Sequence, residues 1–205
     1  MLATLAQTTI GPTESLRHFI VKQCVRANEQ RLVNRFAPYR DLVQLARQAL
    51  EKSGYLAYLD EQFFFDLLVW YHLVWMGETV RHENASVQRL IRKARGFNAQ
   101  DRRELLAVID QLMRNVVPRY RHLAESGQME LSVTPDKHPI IPLLLDFNST
   151  LEAMPDAPLP HRLHYPGGRE RAFEHVEQGL ASFERHFGFR PVGCWPSEGA
   201  VSEAT

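Results

Sequence analysis

The stretch "GCWPSEGAVSEAT", residues 193–205, places a tryptophan, a proline and a carboxylate directly after a short apolar run. Its glutamate, Glu198, is a candidate for carboxylate chemistry, in which an ionised side chain attacks a carbon centre or a carboxyl group moves a proton. It also has a plainer use. With Ser197 as cap, Glu198 would sit in the first turn of a following helix, where a negative charge is favourable. Glu130 is the second candidate. It lies within the alternation of "GQMELSVTP", between Met129 and Leu131, and a carboxylate among apolar residues is costly unless it is paired, solvated or part of a polar site. His138, in "TPDKHP", is the third, with a loop histidine bonding a backbone carbonyl as its ordinary alternative. Trp195 lies close before Glu198 and can shape whatever surrounds it.

Two predicted strands must position these residues. Met129, Leu131 and Val133 alternate with Gln128, Glu130, Ser132 and Thr134, a period of two that predicts a strand. "RPVGCW" is the second strand. Between them lie "IIPLLLDF", an apolar run of open type, and a long proline-rich and polar loop over 148–166, of a length that is often functional. A helix follows from Arg169, with Phe173, Val176, Leu180, Phe183 and Phe187 spaced by three and four and Gly188 as its end. Strand, long connection, helix and strand is the order of a parallel unit. In a β/α barrel Met129, Leu131, Val133, Val192 and Cys194 would face the outer helices. Glu130, Ser132, Thr134, Gly193 and Trp195 would then face the lumen. Both strands lead at their C-terminal ends into the polar segments "TPDKHP" and "WPSEG", and that end carries the active site in barrel enzymes.

The chain before residue 127 predicts helix after helix. Leu16, Phe19, Ile20, Cys24 and Ala27 follow helical spacing, as do Leu42, Leu45, Ala46, Ala49 and Leu50 with Gly54 as a stop. The stretch near 60–76, with "FFFDLLVWYHLVWMG", predicts a helix buried on most sides. It is broken by Asp66 and His72 and is too short to cross a bilayer comfortably. Ser86 is placed to cap a short basic helix carrying Arg89, Arg92, Lys93 and Arg95, ended by Gly96. Asn98 and Asp101 have capping spacing. From there Leu105, Ile109, Leu112, Val116, Tyr120 and Leu123 form one stripe, with a kink expected at Pro118 and an end at Gly127.

Of the 205 residues, 24 are Lys or Arg and 24 are Asp or Glu, so the net charge is zero. That balance gives no reason to expect nucleic acid or an anionic membrane as partner. Cys24 and Cys194 lie far apart, without metal-type spacing and without a disulfide framework. No signal-peptide pattern opens the sequence, so the cytoplasm is the expected location, and the sequon Asn84-Ala85-Ser86 is expected to be chance.

"GQMELSVTPDKHPIIPLLLDF" resembles the second signature region of glycoside hydrolase family 57, and "GCWPSEGAVSE" resembles the third. "YPGGRERAFEHVEQGLASFERHFGFRP" is similar to the helix that joins them, and the helical part with "DLLVWYHLVWMGE" resembles the insertion of the α-amylase-like members. The resemblance implies an α/β fold, a partial (β/α)7 barrel with a large helical insertion. Residues 1–126 would be the helical part and 127–205 part of the catalytic barrel. It implies a retaining hydrolase or glucanotransferase acting on α-1,4-linked glucan, with no cofactor and no metal. Glu198 matches the family's nucleophile, Glu130 its substrate-contacting glutamate and His138 a pocket histidine, while Trp195 shapes the site. The histidine-rich first region is absent, Asp136 stands where close relatives often carry tyrosine, and the acid/base aspartate of the fourth region would lie beyond Thr205. The chain is therefore expected to be an internal piece, inactive by itself.

Two other readings compete. A metal-dependent deacetylase-like barrel would draw its ligands from His138, Asp146, His161 and His164, although the spacing of the last two is weak for zinc. A non-catalytic helical interaction module would use Arg89, Arg92, Lys93 and Arg95. Such a cluster is more commonly a solvated helix face, and the aromatic run Phe63, Phe64, Phe65, Trp70, Tyr71 and Trp75 is more commonly core than a sugar platform.

Overall fold

Apolar residues at helical spacing organise the first part of the chain into α1 (Glu14–Cys24), α2 (Ala37–Leu50), α3 (Glu61–Val74), α4 (Ala85–Lys93) and the start of α5 (Ala99–Glu125) in the computed structural model, which describes residues 1–11, 13–52 and 54–205. The described residues divide into two compact units, Met1–Met113 and Arg114–Thr205, and the division falls within α5.

The first unit is built around α3. Asp60 caps this helix by accepting from the Phe63 amide at 2.8 Å. Phe63, Phe64, Phe65, Leu67, Leu68, Val69, Trp70, Leu73 and Val74 are all buried, as expected of a helix covered on most sides. Asp66 is buried among them. Its carboxylate accepts from Gln62 Nε2 at 2.7 Å and from the amides of Gly96 and Phe97 at 2.8 and 2.9 Å. Charge-assisted bonds of this kind offset the desolvation of a buried carboxylate.

Local signals were legible in part. Asn98 and Asp101 exchange bonds as a reciprocal cap, at 2.9 and 3.0 Å. The cap of α4 is Asn84 and not Ser86. The helix starts at Ala85, so the Asn84 side chain is the one within reach of the third helical amide, that of Val87, at 3.0 Å. Gly54 does not end α2, which stops at Leu50. With φ of 83° it opens the short turn Tyr55–Tyr58. Helix α5 runs through Pro118 as one element. Its stripe is fully buried only at its start: Leu105 is buried, Ile109 and Leu112 are half-buried, and Val116 and Tyr120 are exposed.

In the second unit Gly127 ends α5 with φ of 70°, and the Gln128 amide returns to the Leu123 carbonyl at 3.0 Å. Next come β1 (Ser132–Val133), α6 (Ile141–Leu145), α7 (Gly168–Phe187) and β2 (Gly193–Cys194). The apolar run of open type is thus helical at α6, with Pro142 in its first turn, where a missing amide hydrogen is harmless. The strands pair in parallel, Ser132 against Gly193 and Val133 against Cys194. Residues paired this way share a face, but Cys194 is exposed and Val192 is 79% exposed, so the face expected to pack on helices is not covered at β2. Both strands are shorter than predicted. Pro135 and Pro191 bracket them, and proline cannot donate to a ladder. Among the described residues the fold is α/β, mostly helix with one parallel sheet of two strands.

Two glycines let α7 approach its neighbours. A Cβ on Gly168 would lie 1.7 Å from the Leu144 carbonyl oxygen, and one on Gly179 would lie 3.1 Å from that of Thr134. The Asp136 amide donates to the His175 carbonyl at 2.9 Å, which ties the segment after β1 onto α7. The loop over 148–166 opens within the short turn Phe147–Ser149 and contains the turn Thr150–Ala153, and its base is clasped by the Phe147 amide on the Leu163 carbonyl at 3.0 Å. Among the described residues no helix is long and apolar enough to cross a membrane.

Candidate active site

The two strands end in two unusual turns. After β1, Lys137 and His138 both take left-handed backbone conformations, with φ of 58° and 56°. After β2, Glu198 does the same with φ of 55° and ψ of 15°, followed by Gly199 at φ of 68°. A left-handed conformation costs a residue with a side chain about 1–2 kcal/mol. Ala94 is the other described residue of this kind outside glycine. Such strain is held where surrounding structure over-determines it, and it concentrates at functional sites.

The turns are fixed by their main chains. The His138 amide closes onto the Pro135 carbonyl at 3.1 Å. The Gly199 amide closes onto Pro196 at 2.9 Å and the Ala200 amide onto Ser197 at 3.0 Å. The Trp195 amide donates to the Val133 carbonyl at 2.9 Å, continuing the ladder to the edge of the second turn.

These turns bring His138 and Glu198 together. His138 Nε2 lies 3.0 Å from Glu198 Oε1, with the two side chains 52% and 73% exposed, so the pair is open to a ligand from solvent. An ionised carboxylate only accepts, so the imidazole is the donor. Glu198 thus sits in a short turn of three residues, Ser197–Gly199, rather than at the start of a longer helix. Ser197 does not cap it. Ser197 is 2% exposed, and its Oγ has no hydrogen-bond partner among the described residues. Burying a hydroxyl in that state costs about 1–3 kcal/mol, a second unfavourable feature at the same turn.

The other two candidates stand apart from this contact. Trp195 is 65% exposed, beside the turn that carries Glu198. Glu130 was expected within a strand but precedes the short β1 and is exposed, on the N-terminal side of the strand whose far end leads to His138. The sequence reading found both members of the hydrogen-bonded pair without finding the pair. It missed Lys137 and the buried Ser197 hydroxyl, for which spacing carries no signal.

The alternative sites are less assembled. His164 Nδ1 lies 3.8 Å from Asp146 Oδ1, while His138 is engaged with Glu198. Among the described residues no group of three or more His, Cys, Asp or Glu is gathered to hold a metal ion. In the basic cluster, Arg89 donates to Asp101 at 2.9 Å and also bonds Glu104, and Lys93 pairs with Asp101. These charges are tied within their own unit. Phe63, Phe64, Phe65 and Trp70 are core, and Trp75 is exposed.

Compared with known proteins, residues 25–205 match the family model of glycosyl hydrolase family 57. No curated protein and no solved structure matches the chain.

Proposed function

The chain belongs to glycosyl hydrolase family 57, and on that footing we propose that it acts on α-1,4-linked glucans, with Glu198 as nucleophile of a retaining double displacement. The observation that carries this reading is the hydrogen-bonded pair His138–Glu198, held by strained turns at the C-terminal ends of two parallel strands. That is the end at which barrel enzymes build their sites. The pair β1–α7–β2 is read as one unit of a partial (β/α)7 barrel, with residues 127–205 inside it, residues 1–126 as a helical insertion, and the cytoplasm as its location.

The chemistry follows from the carboxylate. A Glu198 oxygen attacks the anomeric carbon and forms an ester bond as the bond to the leaving oxygen breaks. That bond's electron pair goes to the leaving oxygen, which takes a proton from a second carboxyl group about 5–5.5 Å from the first. In the second step water gives a proton to the same group and attacks the anomeric carbon, and the ester pair returns to Glu198. Two inversions give retention, the outcome shared by an α-amylase and a glucanotransferase. Glu130 contacts sugar hydroxyls in this reading, and His138 and Trp195 line the pocket. The reading assigns the acid/base carboxyl group to no residue of 1–205.

Three measurements on the full gene product test it. NMR of the first-formed sugar should show the α-anomer, and a β-anomer overturns the mechanism. Glu198→Gln keeps the size of the side chain and removes the attacking charge. The rate should fall by several orders of magnitude while glucan binding and melting temperature stay near those of the parent. In Glu198→Ala, azide should restore turnover by attacking in place of the carboxylate.

A further inference from the structure

We infer that His138 is a positioning residue for the attacking carboxylate: it holds Oε1 of Glu198 and leaves Oε2 as the oxygen that meets the anomeric carbon. The inference rests on the reading of Glu198 as nucleophile. It gives His138 a different task from a contact to sugar.

A glutamate that is largely exposed has several side-chain rotamers of similar energy. Only some of them point an oxygen along the line of attack. A single bond from a donor on fixed backbone selects among them, and the backbone that carries the donor here is fixed. His138 is held in its left-handed turn by its own amide on the Pro135 carbonyl at 3.1 Å. The segment before it is tied to α7 by the Asp136 amide on the His175 carbonyl at 2.9 Å. Glu198 is fixed from its side by the bonds of Gly199 to Pro196 and Ala200 to Ser197. The 3.0 Å contact of Nε2 with Oε1 therefore joins two main-chain segments that are each already set, and the carboxylate is oriented before substrate arrives. The donor role places the hydrogen on Nε2. That proton stays on His138 throughout the attack, which is made by an electron pair of Oε2.

A sugar contact and an orienting contact differ in what their loss changes. Loss of a sugar contact weakens binding. Loss of orientation slows the chemical step and leaves binding intact. It also matters only while the carboxylate is the nucleophile. The test compares His138→Gln, Glu198→Gln and the pair Glu198→Ala and Glu198→Ala/His138→Gln in the full gene product. Melting temperatures confirm that each variant folds, as expected for the half-exposed His138 side chain.

His138→Gln should lower kcat about tenfold to a hundredfold with the Kd for glucan unchanged by calorimetry. In the azide-driven reaction of Glu198→Ala, adding His138→Gln should change the rate by no more than about twofold, because no carboxylate remains to be oriented. A raised KM and Kd with kcat kept overturns the inference. So does an equal loss in the azide reaction, since either result means that His138 acts on the sugar. Failure of the underlying reading is distinct: near-normal turnover of Glu198→Gln removes the nucleophile and the positioning role together. A large loss in Glu198→Gln beside none in His138→Gln removes the positioning role alone.

Discussion

The two units differ in where their residues lie relative to water. Among the described residues, the buried hydrophobic side chains fall almost wholly in Met1–Met113, with Ala172 and Phe183 the exceptions in Arg114–Thr205. Strained backbone outside glycine falls mostly on the other side: Lys137, His138 and Glu198 take positive φ in the second unit, against Ala94 in the first. Buried polar atoms without a partner occur in both, Ser197 Oγ and His175 Nδ1 in the second unit and the Nε atoms of Arg17, Arg81 and Arg102 in the first. Burial stabilises in proportion to the apolar area removed from water, at roughly 25 cal/mol per Å². An attacking carboxylate must remain reachable and aimed. The comparison teaches that the proposed chemistry sits on the more thinly buried part of the molecule, in turns held by backbone bonds, and that the deep core serves the helical part.

The comparison can be broken most forcefully at its core. Trp70 is 1% exposed and its Nε1 donates to the Ala94 carbonyl at 2.6 Å. Trp70→Ala should destabilise the helical unit by about 3–5 kcal/mol, measured by urea unfolding. A loss below about 1 kcal/mol would falsify the claim that this unit depends on the burial around α3.

The next largest effect tests whether the second unit, thinly buried as it is, still has points where packing is strict. A methyl group at Gly168 would meet the Leu144 carbonyl at 1.7 Å, and that atom belongs to the backbone. Gly168→Ala should cost about 3 kcal/mol or more. Hydrogen exchange should show the loss in α6 and α7. An unchanged exchange pattern there contradicts the close approach.

A smaller effect has the opposite sign. If Lys137 is strained, Lys137→Gly should raise stability by about 1 kcal/mol, because glycine adopts a positive φ without the side-chain penalty. The gain should appear in the melting temperature of the second unit. A lowered melting temperature would show that the turn is unstrained.

The smallest effect lies back in the helical unit. The Arg35 guanidinium, and after it that of Arg81, hold the Glu78 carboxyl down to about 2, from an ordinary value of 4.5. A carboxyl group depressed in the folded state contributes stability that is present above its unfolded value and lost as pH falls through its folded value. Glu78→Gln should therefore lower the melting temperature slightly at neutral pH. The difference should shrink between pH 4.5 and 2 and vanish below. Glu78 is half exposed, so solvent and salt screen the effect. A difference that persists in acid would assign the effect to packing instead of charge.

The sequence by itself determined what depends on period and on near neighbours. The apolar run of α3, interrupted by Asp66 and His72, specified a helix covered on most sides. The close spacing of Asn98 and Asp101 specified a reciprocal cap, and the alternation around Val133 matched the face it shares with Cys194. Order along the chain specified that β1 and β2 run parallel, because a helix lies between them. It also supplied the four candidate residues Glu130, His138, Trp195 and Glu198. Tertiary structure decided the rest. Apolar period cannot tell how far a stripe stays covered, and that of α5 is exposed at Val116 and Tyr120. It cannot set strand length where prolines withhold ladder donors, which is why Glu130 falls outside β1. A residue type alone does not fix a positive φ outside glycine, as the turns at Lys137, His138 and Glu198 show. Above all, His138 and Glu198 lie 60 residues apart in the chain. Their contact exists only because a parallel pair sets two strand ends side by side, a juxtaposition made by backbone hydrogen bonds between segments whose sequences carry no local mark of each other.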